Sequence, residues 1–465
     1  MMTPAAGEQA VSADLSEVPV TKISVDEDGV PGTDFRGDDV MLARAAWERK
    51  KRQTKTGEPV LIVGAGPAGL AAAAELRRLG VPAQIIERSS AVAPSWRARY
   101  DGLRLNTCRW NSKLRREDRF EADAPFFPLR DHAVRYLESF AAQHDLKVRF
   151  GVQVDRIDPC PDGWLLSTNA EPLPARQVIV AIGHQHTPWM PAWAGRDQFP
   201  GHILHSFEYR NPEEFRDRDV LVVGGGCSGL DIARDLAQGG ARRVRLAVRT
   251  QPNLLRKMSC GLPTDLLAAA LFRLPTRIAD PAGRLVQRLT VGDLGEWGLT
   301  VPDVGIFTRL HEGTAPMIVG GDVIAAIRAG EFEIVPGVCA VDAGGVRLTD
   351  GTTLRPDTLI AATGYTTGLE PLVGHLGVLD EAGLPLQYRG IPVRPGLRFL
   401  GYAPCMGVIG RDARRVARHL SDELTAADRS RTSLKRPGPP EHEPPRPVRL
   451  RYEGSDGPRP AKVLV

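Results

Sequence analysis

The sequence predicts an α/β fold of two doubly wound units, one inserted into the other, and three observations carry the prediction. Two glycine runs, Gly64-Ala65-Gly66-Pro67-Ala68-Gly69 and Gly224-Gly225-Gly226-Cys227-Ser228-Gly229, each follow a continuous apolar strand and open a helix. Each copy later shows a few short alternating strands and then an apolar strand that ends in glycine, at Gly183 in the first and Gly364 in the second. After Tyr365 the chain has one more strand and a closing helix to place, at residues 397–401 and 412–424, and these return to the first unit.

The elements follow in order. Val60-Leu61-Ile62-Val63 is a buried strand without alternation, residues 70–79 are a helix closed by Gly80, and residues 83–86 are a second strand ending at Glu87. In the second copy residues 220–223, 230–238 and 244–248 repeat this register, with Gly239-Gly240 closing the helix and Arg249 ending the strand. A G-x-G-x-x-G turn between strand and helix directs backbone N–H groups and the positive end of the helix toward a pyrophosphate. Both copies are therefore predicted to be Rossmann-like dinucleotide sites, with Gly64, Gly66, Pro67, Ala68 and Gly69 in one, and Gly224, Gly226, Cys227, Ser228 and Gly229 in the other.

The residue ending the second strand separates the ligands. Glu87, followed by Arg88, suits the ribose hydroxyls of FAD, since a carboxylate there repels a 2′-phosphate. Arg249 and Thr250 replace the acid in the second copy, and a guanidinium grips phosphate in bidentate fashion, so that site suits NADPH.

Composition sets the outer bounds. A chain of 465 residues, 42% hydrophobic and 25% charged, has the make-up of a globular protein with a sizeable core. Its net charge of +4 on 60 basic and 56 acidic residues is too small to argue for nucleic acid. Apolar runs fall short of a bilayer span and no leader is apparent, while six cysteines lack any C-x-x-C pair, so a cytoplasmic protein with neither disulfide framework nor zinc site is expected. His184 and His186 have no acidic or cysteine partner nearby in sequence, so no metal is predicted.

Between the glycine runs lies Phe199-x-Gly201-x-x-x-His205-x-x-x-Tyr209, which matches at every fixed position the F-x-G-x-x-x-H-x-x-x-(Y/F) signature of the flavin-containing monooxygenases. The chain resembles that family over residues 58–425. Ala362-Thr363-Gly364-Tyr365 is the family's A-T-G-Y turn, whereas the first copy reads Ala181-Ile182-Gly183. Residues 274–338 resemble the YUCCA-type branch, through Leu274-Pro275, Thr290-Val291-Gly292-Asp293 and Val335-Pro336-Gly337-Val338. The resemblance implies that NADPH reduces FAD, that the flavin adds oxygen at its C4a carbon, and that one oxygen atom passes to a small organic substrate, at nitrogen or sulfur. It implies that the segment holding Trp96, Leu105 and Asn106 covers the flavin ring, with the Asn106 amide facing its reactive edge; by residue type alone, Trp96 suits core packing and Asn106 a turn. Phe199, Gly201, Thr363 and Gly364 would serve cofactor binding, His205 would join Asn106 as a catalytic residue, and Gly201 with His205 would lie at the interdomain hinge. YUCCA-type members carry histidine where Asn106 stands, so the branch signals conflict.

Baeyer-Villiger oxidation and oxidative decarboxylation of a 2-oxo acid stay open, as does a reductase that passes electrons elsewhere. The predicted division is an N-terminal extension with a short helix (1–56), the first part of the FAD domain (57–205), the NADPH domain (206–365), the FAD return (366–427) and a disordered Pro- and Arg-rich tail (428–465). The expected partners are O2 and a small-molecule substrate, and the sequence is compatible with a homo-oligomer.

Overall fold

In a computed structural model, residues 59–259, 261–312, 317–402 and 405–434 are described. The predicted extension at 1–56 and its short helix lie outside the described residues, as does the tail from 435. The chain enters through β1 (Val60–Val63), α1 (Pro67–Arg78) and β2 (Ala83–Ile86), and continues through α2 (Arg130–Gln143), β3 (Val148–Arg149) and β4 (Val178–Val180). It then forms β5 (His202–His205), β6 (Asp219–Val223), α3 (Cys227–Gln238), β7 (Arg243–Val248), β8 (Glu333–Pro336) and β9 (Thr358–Ala361). It ends with β10 (Leu397–Phe399) and α4 (Met406–Leu434).

Two five-stranded parallel sheets result, ordered β10-β4-β1-β2-β3 and β8-β7-β6-β9-β5. The fold is mixed α/β with parallel sheets. The central strands are buried from Val60 to Val63 in one sheet and from Val220 to Val223 in the other. Full burial of each such side chain stabilises by about 1.5–3 kcal/mol, which is why these runs carry no polar residue. Separate apolar clusters form on the two sheets, one joining Val63, Ile86, Val180 and Phe399, the other Val222, Leu230, Leu246 and Ile327.

Several boundaries differ from the sequence prediction. Both glycine-turn helices begin three residues early, at Pro67 and Cys227, because extended Gly66 and Gly226 act as their N-caps and the last residues of each glycine run form the first helical turn. Strand β5 belongs to the second sheet, in register His202↔Thr358 to His205↔Ala361, so the chain leaves the first sheet upstream of His202 rather than at the predicted 205/206 boundary. The closing helix starts at Met406 and runs to Leu434, where an end at 424 and disorder from 428 were expected. Residues 422–434 carry no proline, so nothing in the sequence breaks the helix there.

The outgoing and returning connections are joined to each other. Thr187 and Pro188 pair antiparallel with Thr366 and Tyr365. The Trp189 N–H donates to the Gly364 carbonyl at 3.0 Å. No helix among the described residues is long and apolar enough to cross a membrane.

Candidate active site between two glycine turns

At the first turn Gly64 has φ +107°, and a Cβ there would stand 2.8 Å from the Ala181 carbonyl oxygen; a Cβ on Gly69 would stand 1.9 Å from the Gly64 carbonyl oxygen. These two glycines are demanded by the protein's own packing. Gly66 is different. Its backbone is ordinary, with φ −79°, and a Cβ would meet nothing within 4 Å. A glycine that neither backbone strain nor protein contact requires keeps space for something else, and the space lies over the N-terminus of α1, where an anion is favoured.

Glu87 is buried beneath this turn. Its carboxylate accepts the Ala65 N–H at 2.7 Å on one oxygen and the Ser89 N–H at 2.8 Å on the other, leaving further lone pairs on both. Arg88 beside it is exposed. The Ala93 N–H donates to the Ala65 carbonyl at 2.9 Å, which brings the short helix Pro94–Arg97 and half-buried Trp96 next to the turn.

The second turn repeats the construction: Gly224 has φ +122°, with a Cβ 2.3 Å from the Ala362 carbonyl oxygen, and a Cβ on Gly229 would stand 1.8 Å from the Gly224 carbonyl oxygen. Ser228 lies half-buried in the first turn of α3, and Arg249 and Thr250 are exposed at the end of β7. The Cys227 thiol is pushed up to about 11, by burial first and by the nearby Asp231 carboxylate second, so it stays protonated at neutral pH and is a poor nucleophile.

Asn106 lies against the second turn. The Leu105 N–H donates to the Pro128 carbonyl at 2.8 Å, Leu105 is buried, and the next side chain lies against the second turn, where the Asn106 amide bonds Cys227. The Asn106 Oδ1 is buried with no hydrogen-bond partner among the described residues. An orphaned acceptor of this kind is costly unless a ligand supplies a donor. Tyr100, six residues earlier, is buried in the second sheet's core, and its hydroxyl donates to Asp231 Oδ2 at 3.1 Å.

The linking signature packs against the second sheet. Phe199 packs in the core of the second sheet against Leu221 and Val335, and a Cβ on Gly201 would stand 2.7 Å from the Asp357 carbonyl oxygen. Both, expected to serve cofactor binding, lie at the start of β5, whereas the Gly224 turn lies at the opposite end of the sheet. Tyr209 is buried and its hydroxyl donates to Asp235 Oδ2 at 2.7 Å.

His205 has protein partners on both sides of its ring. Its Nδ1 accepts the Phe207 N–H at 3.0 Å and its Nε2 donates to the Gly364 carbonyl at 3.0 Å, so both ring nitrogens are used in joining the two connections. Burial first lowers its pKa, with the Gly364 contact opposing, and the ring is held neutral. The ring expected to be catalytic is thus engaged within the protein, and Gly201, expected at the hinge, stands one residue ahead of an edge strand. Thr363 likewise donates to the Trp189 carbonyl, at 2.5 Å, so its hydroxyl is spent between the connections, while Gly364 takes a left-handed φ of +94°. Among the described residues no group of three or more His, Cys, Asp or Glu side chains could hold a metal.

Relatives decide the family. Rice (Oryza sativa subsp. japonica) indole-3-pyruvate monooxygenase YUCCA1 is 34% identical over 384 residues, covering 80% of this chain and 93% of that protein. The chain belongs to the flavin-containing monooxygenases. It is related within them to the YUCCA enzymes, and it is an FAD-dependent, NADPH-using monooxygenase. Residues 61–261 also match the pyridine nucleotide-disulphide oxidoreductase family. Among solved structures, the flavin-containing monooxygenase from Stenotrophomonas maltophilia shares the fold with a TM-score of 0.59 at 22% identity, covering 80% of this chain and 98% of that one. A bacillithiol disulfide reductase from Bacillus cereus shares it too, at 0.56 and 19%, covering 79% and 100%.

Sequence reasoning missed Lys257, the buried lysine of this region. Its place in the pair Arg256-Lys257 reads as surface charge, and the flanking Leu254, Leu255 and Met258 were the available signal.

Proposed function

We propose that the two sheets are two dinucleotide-binding domains, the NADPH domain inserted into the FAD domain, and that this cytoplasmic flavin monooxygenase transfers one oxygen atom from O2 to a small organic substrate. Bound FAD, reduced by NADPH, supplies the oxygen-activating chemistry. The open space over Gly66 and the N-terminus of α1 take the FAD pyrophosphate, the remaining lone pairs of Glu87 take its ribose hydroxyls, and Trp96 and Leu105 flank the ring. Gly226, Cys227 and Ser228 take the NADPH pyrophosphate, with Arg249 and Thr250 on its 2′-phosphate.

The observation that carries this reading is Asn106, whose segment begins beside the first turn, whose amide reaches the second, and whose Oδ1 awaits a donor. That placement lets the Asn106 side chain offer a fixed polar atom to a bound cofactor while the buried Tyr100 and Leu105 exclude water. The raised Cys227 pKa argues against dithiol chemistry at this turn.

Asn106 favours oxygenation at nitrogen or sulfur. The relationship to indole-3-pyruvate monooxygenases favours a second reading, in which a 2-oxo acid, O2, NADPH and a proton give the shortened carboxylic acid, CO2, water and NADP+. NADPH-driven oxygen uptake by the purified protein, screened across amines, sulfides, ketones and 2-oxo acids with product analysis, tests both. Protein without flavin absorbance, or without substrate-stimulated uptake, overturns them together.

A further inference from the structure

Lys257 is 7% exposed, and its ammonium donates to the Arg104 carbonyl at 3.0 Å, two residues before Asn106. No carboxylate stands within salt-bridge distance of it among the described residues. A buried ammonium is expensive to desolvate, so a lysine kept here must do something that methionine could not. It sits on Leu254–Arg256's continuation into Met258–Ser259, in the segment that packs on the second sheet, whereas Arg104 and Asn106 stand in the segment that follows the first glycine turn.

The 100–106 segment is thus fastened to the second sheet's side at three points: Tyr100 to Asp231, Arg104 to Lys257, and Asn106 to Cys227. The first and third partners lie one turn apart on α3, which starts at the second glycine turn. Of the three fastenings, the Lys257 one is made to a backbone carbonyl and so fixes the chain itself immediately ahead of Asn106.

We propose that Lys257 is the positioning residue for Asn106, holding the Arg104 carbonyl so that the Asn106 side chain is fixed against the second glycine turn. This rests on the monooxygenase reading above, and it adds a residue that the reaction needs without touching the reacting atoms. The charged and titratable groups facing the ammonium are Asp231, Cys227 and Arg234 on α3, and Arg104 on the fastened segment. Burial first lowers the Lys257 pKa to about 8, so above that pH the charge-assisted fastening weakens to a hydrogen bond from a neutral amine.

The test compares the wild type with Lys257→Met, Lys257→Arg and Tyr100→Phe, each first checked for flavin content. Hydrogen–deuterium exchange of peptides spanning 100–106, measured on nucleotide-free protein, is expected to speed up about tenfold in Lys257→Met and in Tyr100→Phe. In the FAD-loaded enzyme, peroxide released per NADPH oxidised is expected to rise as pH passes 8 in the wild type. It should be about fivefold higher and pH-independent in Lys257→Met, and low and pH-independent in Lys257→Arg. Unchanged exchange in Lys257→Met, or a wild-type pH profile of peroxide release in that variant, overturns the proposal. Failure of the monooxygenase reading shows separately, as protein that holds no flavin or oxidises no NADPH, and the exchange measurement does not depend on it.

Discussion

Three glycines of one turn do two different jobs. Gly64 and Gly69 answer to sub-van-der-Waals approaches within the protein, so a methyl group at either forces backbone apart, at about 1–3 kcal/mol or more. At Gly66 the methyl group enters empty space. Gly66→Ala is expected to fold with a melting temperature within about 4 °C of the wild type, the loss coming from a poorer N-cap, yet to bind FAD at least tenfold more weakly. Gly69→Ala is expected to lose stability and flavin together. Flavin absorbance of the purified variants beside their thermal unfolding separates the two outcomes, and equal FAD affinity in Gly66→Ala removes the pyrophosphate assignment.

His205 gives the matching residue-scale test of a catalytic against a structural role. A histidine whose folded pKa is depressed below 6.5 binds its proton more readily when unfolded, so its stabilising contribution is present above pH 6.5 and is lost as pH falls from there toward the folded value. Burial likewise leads the lowering at His144, His184, His186 and His375. Wild-type stability is therefore expected to decline below about pH 6.5, and His205→Gln to shrink that slope by removing one of these groups. Oxygenation by His205→Gln at pH 7.5 is expected within about threefold of the wild type, whereas loss of a general acid or base costs about 100-fold or more.

At the scale of elements, the family signature spans an edge strand. Gly201 lets the start of β5 approach Asp357 so that His202 can pair with Thr358. Gly201→Ala is expected to lower the melting temperature by several degrees while the folded protein keeps its NADP+ dissociation constant within twofold, measured by calorimetry; a tenfold weaker constant would return Gly201 to the cofactor site. The same strand shows what could be read in advance. Strands β1, β2, β6, β7 and their turns were legible because a buried parallel strand and a glycine turn leave local marks, an apolar run and a fixed spacing. Membership of β5 in the second sheet was not, since its pairing with β9 joins residues more than 150 positions apart and leaves no local pattern. Lys257 was hidden for a related reason: its acceptor is a backbone carbonyl 153 residues away, which side-chain identity does not encode.

At the scale of the whole molecule, the two sheets are tied through shared side chains. Tyr100 follows the first turn but is buried in the second sheet's core; Tyr209 lies 6.2 Å from it ring to ring; Arg99 donates to the Tyr365 hydroxyl on the returning connection. Unfolding either sheet strips partners from these residues, so the described part up to Ser421, which packs as one compact unit, is expected to melt in one transition to which both nucleotides couple. Each ligand binding only the folded state stabilises by about 2.7 kcal/mol at a hundredfold excess over its dissociation constant, a shift of a few degrees at this size. Removing FAD is expected to lower this single transition and adding NADP+ to raise it. In Arg249→Ala the NADP+ shift should collapse to the size of the NAD+ shift, because only the 2′-phosphate contact has gone. Calorimetric scans with two resolved transitions, each moved by one nucleotide alone, would mean that the ties through Tyr100 and Arg99 do not couple the sheets. An NADP+ shift that survives Arg249→Ala would place the 2′-phosphate elsewhere.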